Sequence, residues 1–201
     1  DMAFLCMTHP NIKRMFMWGF TDKYSWIPGF TNGASDAALI FDTNYNKKPA
    51  YYAIETVLKL QPVDGIYNGG FESSIYTWNE ISGGAIAEET SVVRSGTKSA
   101  RVYNRSQAYQ GIGQYVLPYL LSNGQGTYNA GAWGRLASGT DTAKLTLYIK
   151  DDSGSKYVSL GSASANSTGW TQVSGSANVT WTGLLRVARL YVETGTSTVN
   201  F

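Results

Sequence analysis

A short segment near the end of the chain alternates apolar side chains with side chains that suit a polar, ring-shaped ligand. In residues 188–193 the apolar side chains of Ala188, Leu190 and Val192 take every second position, and those between them are Arg189, Tyr191 and Glu193. Core packing does not readily explain why an aromatic ring, Tyr191, lies between two charged residues on the face away from the core. Such a face suits a sugar, which stacks on the ring while charged groups hydrogen-bond its hydroxyls. The alternative is a surface tyrosine within a ladder of cross-strand ion pairs.

Composition excludes several other kinds of chemistry. His9 and Cys6 are the only histidine and cysteine in the 201 residues, which excludes a His-based metal cluster, a Ser-His-Asp triad and an intrachain disulfide. The net charge of +2 and the 15% of charged residues do not favour nucleic acid or an anionic membrane as a partner. No apolar run approaches the roughly 20 residues of a membrane span.

The first part of the chain, to about residue 62, alternates α and β patterns. Ile12–Trp18 is a short apolar segment typical of a buried strand in a parallel sheet. A helix is predicted from Pro49, because proline suits the first helical turn and an apolar stripe that includes Tyr52 follows it. This order is typical of a βα unit in a barrel.

From about residue 67 the pattern changes to short alternating segments separated by Gly, Ser, Asn and Thr, which predicts an antiparallel β-sandwich. In residues 143–150 the side chains of Leu145, Leu147 and Ile149 face one way, and residues 151–154 supply a turn. Further strands are predicted over about 85–93, 97–104, 110–117, 126–136, 156–160, 170–178 and 186–193. The predicted fold is mainly β, with residues 1–62 and 63–201 as separate domains.

Two motifs rich in aromatic residues lie in the first part, MWGFTDKYSW at Met17–Trp26 and LIFDTNYNKKPAYY at Leu39–Tyr52. They resemble the last strand and loop, and the signature before the final helix, of glycoside hydrolase family 10, the endo-β-1,4-xylanases. The resemblance implies that residues 1–62 are the C-terminal remnant of a TIM barrel. It also implies that Trp18 and Trp26 line sugar subsites at the top of that barrel.

The catalytic pair of that family has no match in this sequence. Retaining glycosidases use two carboxylates about 5 Å apart, and in this family both are glutamates on earlier strands. The acidic residues Asp22, Asp36, Asp42 and Glu55 match neither motif. We therefore expect no hydrolysis of glycosidic bonds by this chain alone, with the pair lying upstream of Asp1.

Four segments of the second part resemble the xylan-binding modules of family 22 and the related family 4. They are NGGFE at 68–72, NRSQAYQG at 104–111, DSGSKY at 152–157, and LYVET at 190–194 followed by VNF at 199–201. The resemblance implies a jelly-roll sandwich with its closing strand truncated. It also implies a cleft for an extended β-1,4-xylose chain, formed by Tyr109, Tyr157, Tyr191 and Glu193.

The same resemblance implies a structural Ca²⁺ with Glu72 as one ligand. Two departures from the family pattern predict weaker or altered affinity. Tyr109 stands where the family usually has tryptophan, and Asn79 follows Trp78 where the family can carry a ligand-contacting arginine. The Asp expected of the closing strand has no counterpart up to Phe201.

Three hypotheses about function follow. The first is a xylan-binding module that targets an attached xylanase, with the rest of that enzyme as its partner in cis and an extracellular location. The second is a xylanase whose activity resides in sequence outside this chain. The third is a structural or adhesive sandwich, although separate aromatics among polar residues favour sugar over protein as the ligand.

Overall fold

The computed structural model describes residues 15–33, 37–59 and 64–201, without the side chains of residues 56–59. The chain divides between residues 61 and 62 into two compact units, and each is described by itself below. Over the described ranges, no helix has the length and apolar character that crossing a membrane requires.

The first unit contains short helical elements around one pair of β-bridges. These elements are a 3₁₀ turn at Asp22–Tyr24, α1 at Ile27–Phe30 and α2 at Pro49–Lys59. Phe41 bridges Thr21 in parallel and Lys47 in antiparallel orientation. The predicted helix is confirmed and begins at Pro49, which lacks the backbone donor that a first helical turn leaves unpaired.

Two predictions for the first unit are wrong. Residues 12–14 of the predicted strand lie outside the described residues, and residues 15–18 are exposed and form no strand. A buried parallel strand needs a neighbour at each edge, and the described part of this unit supplies no strand beside them. The predicted apolar stripe of α2 included Tyr52, which is exposed. Tyr51 packs instead, with its ring centroid 5.1 Å from that of Phe41.

The second unit is a β-sandwich of antiparallel strands. One sheet has five strands in the order β1-β4-β9-β6-β7, and two further pairs are β2-β3 and β5-β8. The strands are β1 Asn79–Ile81, β2 Ala85–Glu89, β3 Ser99–Tyr103, β4 Gly111–Tyr115, β5 Gly126–Gly134, β6 Thr140–Asp151, β7 Gly154–Asn166, β8 Thr171–Val179 and β9 Val187–Thr194.

The core of the sandwich forms from the alternate apolar residues that the sequence predicts. Leu145, Leu147 and Ile149 of β6 are all buried, and in register they face Val192, Leu190 and Ala188 of β9. The β5-β8 pair contributes residues such as Val173 and Val179 to the same cluster. Because strand side chains alternate, the other face of β6 and β9 is left free for a ligand.

Each strand predicted for the second unit overlaps an observed one, and two elements of this unit were missed. The first is β1, which has only three residues. The second is the helix α3 at Leu117–Asn123, whose first turn contains Pro118. The predicted strand at 110–117 therefore ends early, at Tyr115, because proline cannot continue a strand ladder but suits a helix start. At the chain's last residue, Phe201 exchanges two backbone hydrogen bonds with Val102 of β3.

Candidate carbohydrate-binding face

The face of the five-stranded sheet that points away from the core carries most of the predicted site. We call it the open face. Cross-strand register places Arg189 opposite Tyr148, Tyr191 opposite Thr146, and Glu193 opposite Lys144. Tyr157 of β7 lies opposite Tyr148, and on the other side Gly113 and Tyr115 of β4 lie opposite Tyr191 and Arg189. The open face comprises Lys144, Thr146, Tyr148, Tyr157, Gly113, Tyr115, Arg189, Tyr191 and Glu193.

Glycine at position 113 keeps one part of the open face at backbone level. A Cβ atom built on Gly113 would lie 2.5 Å from the carbonyl oxygen of Leu190 and 2.6 Å from the Cβ of Tyr191. Both distances are shorter than real side chains tolerate, so β4 and β9 approach this closely only because position 113 has no side chain. The result is a depression between β1 and the tyrosine.

The Tyr191 ring packs into the open face instead of projecting from it. Its side chain is only 6% exposed, which differs from the exposed platform or surface tyrosine that the sequence indicated. The glycine opposite leaves room for the ring to settle against the sheet. Burial raises the pKa of Tyr191 well above its usual range, and the nearby charges of Glu193 and Tyr157 add to this effect. Tyr191 is therefore part of the floor of the site.

The projecting ring is that of Tyr157, which is 71% exposed. It stacks at a tilt against Tyr148, with 5.2 Å between ring centroids. Tyr148 is anchored in turn by a 3.0 Å hydrogen bond between its hydroxyl and that of Ser155. This pair is a cross-strand aromatic contact of the kind that stabilises sheets, and it holds the Tyr157 ring at the surface.

A tight hairpin fixes the start of β7 and so the position of Tyr157. Asp151 pairs with Gly154 across a two-residue turn. The carboxylate of Asp151 accepts hydrogen bonds from the ammonium of Lys156 at 2.8 Å and from the backbone and hydroxyl of Ser153 at 2.8 and 2.6 Å. These donors, Lys156 foremost, hold the pKa of Asp151 well below its usual range. The turn predicted for residues 151–154 is confirmed, and hydrogen bonds to the Asp151 carboxylate hold it in place.

Glu193 is a half-buried carboxylate with one oxygen already engaged. The hydroxyl of Thr146 donates a 2.6 Å hydrogen bond to Oε1. Burial raises the pKa of Glu193, and the bond from Thr146 and the charges of Lys144 and Arg105 only partly oppose this. Oε2 accepts no hydrogen bond from the described residues, so it can accept one from a ligand hydroxyl.

Tyr109 lies in the turn before β4, where it is 53% exposed. Because Tyr109 is outside the strands, cross-strand register does not define its position relative to the open face. The backbone of its turn is held by hydrogen bonds from a buried arginine. Arg105 donates to the carbonyls of Gln110 at 2.7 Å and Ala108 at 2.5 Å, and to the carbonyl of Val199. It also donates to the hydroxyl of Thr194 at 2.6 Å. We call this set of bonds the Arg105 clasp, and it ties the turn of Tyr109 to the end of β9.

Several residues on or beside the open face were not part of the sequence prediction of the site. Tyr148 and Tyr115 are added by register, and the Arg105 clasp is added by long-range contacts. Alternation along β6 could have indicated Tyr148, because it shares a face with Lys144 and Thr146. Nothing local indicates that Arg105 is buried, because its acceptors at Thr194 and Val199 are about 90 residues away in sequence.

The predicted calcium ligand, Glu72, is exposed and has partners of its own. Its carboxylate accepts hydrogen bonds from the backbone and hydroxyl of Thr97, at 3.0 and 2.6 Å, and from the backbone of Lys98. The Thr97 bonds lower its pKa. Within the described ranges, no three His, Cys, Asp or Glu residues group as metal ligands would. A cation beside Glu72 would need the Thr97 hydroxyl to rotate and other oxygens to complete its shell.

The two tryptophans predicted to line barrel subsites are both solvent-exposed in the first unit. Trp18 is 86% and Trp26 54% exposed, with ring centroids 6.5 Å apart. The ring of Phe30 lies edge-on to Trp26 at 5.4 Å. Exposed indole faces at this separation can contact a sugar chain, and the role of both residues stays a prediction.

The fold of the second unit is that of a carbohydrate-binding β-sandwich. The sequence agrees, because residues 63–198 match the carbohydrate binding domain family. The chain belongs to this family. Its first 57 residues match a second family, glycosyl hydrolase family 10, over part of that family's length.

The curated relatives are xylanases that this chain matches in part. Over 55 residues, 27% of this chain and 16% of the relative, it is 51% identical to endo-1,4-beta-xylanase B of Thermotoga neapolitana. It is 28% identical to endo-1,4-beta-xylanase A of Thermotoga maritima over 181 residues, which are 87% of this chain and 17% of that protein. The chain thus spans less than a fifth of the length of either relative.

Solved structures share the fold of the second unit. The family 22 carbohydrate binding module at the C-terminus of a Clostridium thermocellum protein superposes with a TM-score of 0.58 at 18% identity, covering 70% of this chain and 90% of that module. A xylan-binding domain of the same family from Paenibacillus barcinonensis gives a TM-score of 0.57 at 22% identity, covering 66% and 91%. At these identities the likeness establishes the fold.

Proposed function

We propose that the sandwich of this chain binds xylan through its open face. The observation that carries the proposal is the joint placement of an exposed ring and a free acceptor, Tyr157 and Oε2 of Glu193, above the floor formed by Tyr191 and Gly113. One sugar of a xylan chain can stack on Tyr157 while a hydroxyl of another sugar further along the chain donates to the carboxylate. The likeness to domains described as xylan-binding supports xylan over other polysaccharides.

Within the parent protein, the sandwich would hold an attached enzyme on its substrate. The match of residues 1–57 to glycosyl hydrolase family 10 supports a xylanase as that enzyme. Tethering a catalytic domain to a bound module raises its effective concentration at the polysaccharide. Because xylan is a cell-wall polymer, we propose that the protein works outside the cell.

Gel retardation of the whole chain tests the binding proposal. Native gels are cast with soluble xylan, a cellulose derivative or mannan, and the migration of the chain is compared with that of Glu193→Ala. We expect xylan to retard the unmodified chain most and the variant less. Equal migration with and without xylan would refute the proposal, and equal retardation by all three polymers would show a general polysaccharide binder.

We propose that hydrolysis of xylan resides in sequence outside this chain. The described acidic residues Asp22 and Asp42 are engaged within the first unit. Asp22 forms a 2.7 Å ion pair with Lys48, and Asp42 accepts hydrogen bonds from Asn44 and Asn46. We expect purified chain to release no reducing sugar from xylan above a buffer control. Measured release would place a catalytic pair within these 201 residues.

A further inference from the structure

The open face has a cation at one end that no carboxylate neutralises. The guanidinium of Arg189 lies over the ring of Tyr115, with 4.3 Å between its central carbon and the ring centroid. Its Nη2 donates a hydrogen bond to the Tyr115 hydroxyl. Across the described part of the chain, no Asp or Glu lies within ion-pair distance of Arg189. The side chain is therefore oriented by a neutral ring, and its charge is unpaired.

One donor of this arginine is also unused. The Nε of Arg189 is shielded from solvent and has no hydrogen-bond partner among the described residues. Leaving a shielded donor unpaired is unfavourable, and native structures contain few such groups. Stability alone therefore does not account for an arginine at this position.

A pocket of about 180 Å³ opens beside Arg189, over the depression that Gly113 leaves. Asn79 and Ile81 of β1 line its other side, together with Tyr115. Register places Asn79 opposite Gly113, so its amide stands across the depression from β9. Glu80 also lines the pocket, but alternation along β1 directs its side chain to the other side of the strand from Asn79.

Charge is arranged asymmetrically along the open face. Glu193 lies four residues along β9 from Arg189, about 13 Å at the rise of a strand. A sugar chain that hydrogen-bonds Glu193 near one end of the face can therefore present a substituent to Arg189 at the other. The pocket is polar and is lined by a cation, an amide and a tyrosine hydroxyl, which suits a small anionic group.

We propose that this pocket, the Arg189 pocket, binds the carboxylate of a uronic acid branch on the xylan chain. Arg189 donates to the carboxylate, and Asn79 donates to the same group or to a branch hydroxyl. This inference rests on the proposed function, because it assigns a substituent of the polysaccharide to the same face. It gives the module a preference for acidic over neutral decoration.

Titration calorimetry with three ligands tests the inference on the whole chain. The ligands are a xylo-oligosaccharide with one glucuronic acid branch, the same compound with its carboxyl group reduced to an alcohol, and the unbranched oligosaccharide. We expect the acidic ligand to bind about five-fold more tightly than the reduced one, as one partly exposed ion pair supplies. Raising the salt concentration should shrink this ratio.

Variants assign the preference to the arginine. Arg189→Gln should bring the ratio between the affinities for the acidic and the reduced ligands close to one, and its affinity for the unbranched ligand measures any separate loss on the open face. Arg101→Gln is the matched control, because Arg101 lies over the ring of Tyr103 at 4.9 Å in β3, outside the five-stranded sheet, and should keep the ratio. Equal binding of acidic and reduced ligands by the unmodified chain, or a ratio that survives in Arg189→Gln, would overturn the inference. Failure of all three ligands to bind would instead overturn the proposed function.

Discussion

The hydroxyl of Thr146 donates a 2.6 Å hydrogen bond to Oε1 of Glu193 across the β6–β9 pair. Thr146 is offset by two residues from the partner of Glu193 in register, which is Lys144. The bond therefore runs diagonally, leaning the carboxylate along the face toward Tyr191. One oxygen is held by the protein, and the other is left for a ligand. The orientation of this acceptor is thus set by a threonine on the neighbouring strand.

The pH dependence of stability should report on Glu193. Burial raises its pKa above the ordinary 4.5, so between the unfolded and folded values the folded state holds the extra proton. Its contribution to stability is then fully present below the unfolded pKa and is lost as pH rises through the folded pKa. Glu193→Gln should remove this loss, which chemical denaturation at several pH values will measure. An unchanged pH profile would contradict the burial effect.

Tyr157→Ala should weaken xylan binding by about ten-fold and lower the free energy of unfolding by no more than about 1 kcal/mol, through the lost contact with Tyr148. The ring is an exposed stacking surface, and such contacts contribute roughly 1–1.5 kcal/mol. Tyr24 has the same exposure but lies in the first unit, so Tyr24→Ala is the control for removing a surface ring. Calorimetry measures the affinities. Retained affinity in Tyr157→Ala would place the stacking ring elsewhere.

Tyr191 calls for a conservative change because it is buried. Tyr191→Phe should keep the packing against Gly113 and remove only the hydroxyl, so thermal unfolding should be nearly unchanged while xylan affinity falls. Tyr191→Ala should lower both stability and affinity, because it also leaves a cavity in the floor. Equal xylan affinity of Tyr191→Phe and the unmodified chain would show that the hydroxyl does not contact the ligand.

Leu147→Ala should separate the core from the ligand face. Leu147 is fully buried and faces Leu190, so its truncation should lower the free energy of unfolding by about 2–5 kcal/mol. Its neighbours Thr146 and Tyr148 point to the open face and keep their contacts. Xylan affinity measured well below the melting temperature should therefore stay unchanged. A parallel loss of affinity would show that the face depends on core packing.

Calcium should be tested at Glu72 by thermal unfolding. If the ion binds, the melting temperature rises with added Ca²⁺ and falls back with chelator, since a ligand of the folded state stabilises it. Glu72→Gln should abolish the rise. It should also lower the melting temperature without calcium, because Thr97 and Lys98 lose a charged acceptor. An equal calcium response in both proteins would remove Glu72 from the ion's ligands.

Alternation predicts the strands well because each one separates an apolar core face from a polar face. The same rule predicted which of Leu190, Tyr191 and Val192 face the core. It could not predict that Tyr191 is buried on the opposite face, because that depends on Gly113 of another strand. It also could not find β1, whose three residues are too few to show a period. Long-range contacts decide both features.

In the first unit the sequence motifs identify relatives more reliably than they predict local structure. The apolar segment that includes Trp18 suggests a strand, since a barrel supplies neighbours on both sides. The described residues of this unit contain only single-residue bridges such as Phe41 with Thr21. The apolar pattern around Trp18 suits a strand with barrel strands on both sides. Among the described residues no such strands are present, and the predicted strand does not form.

The Arg105 clasp limits how the turn before β4 can diverge among related proteins. The Arg105 guanidinium bonds at once to acceptors in the turn and at the end of β9, so the distance between these acceptors is fixed. Residues 106–109 can therefore change their side chains but cannot readily gain or lose a residue. The ring at position 109 can then be exchanged for a larger or smaller one without moving the backbone beneath it. Substrate preference can thus change by single substitutions at this turn, whereas an insertion would displace the acceptors of Arg105.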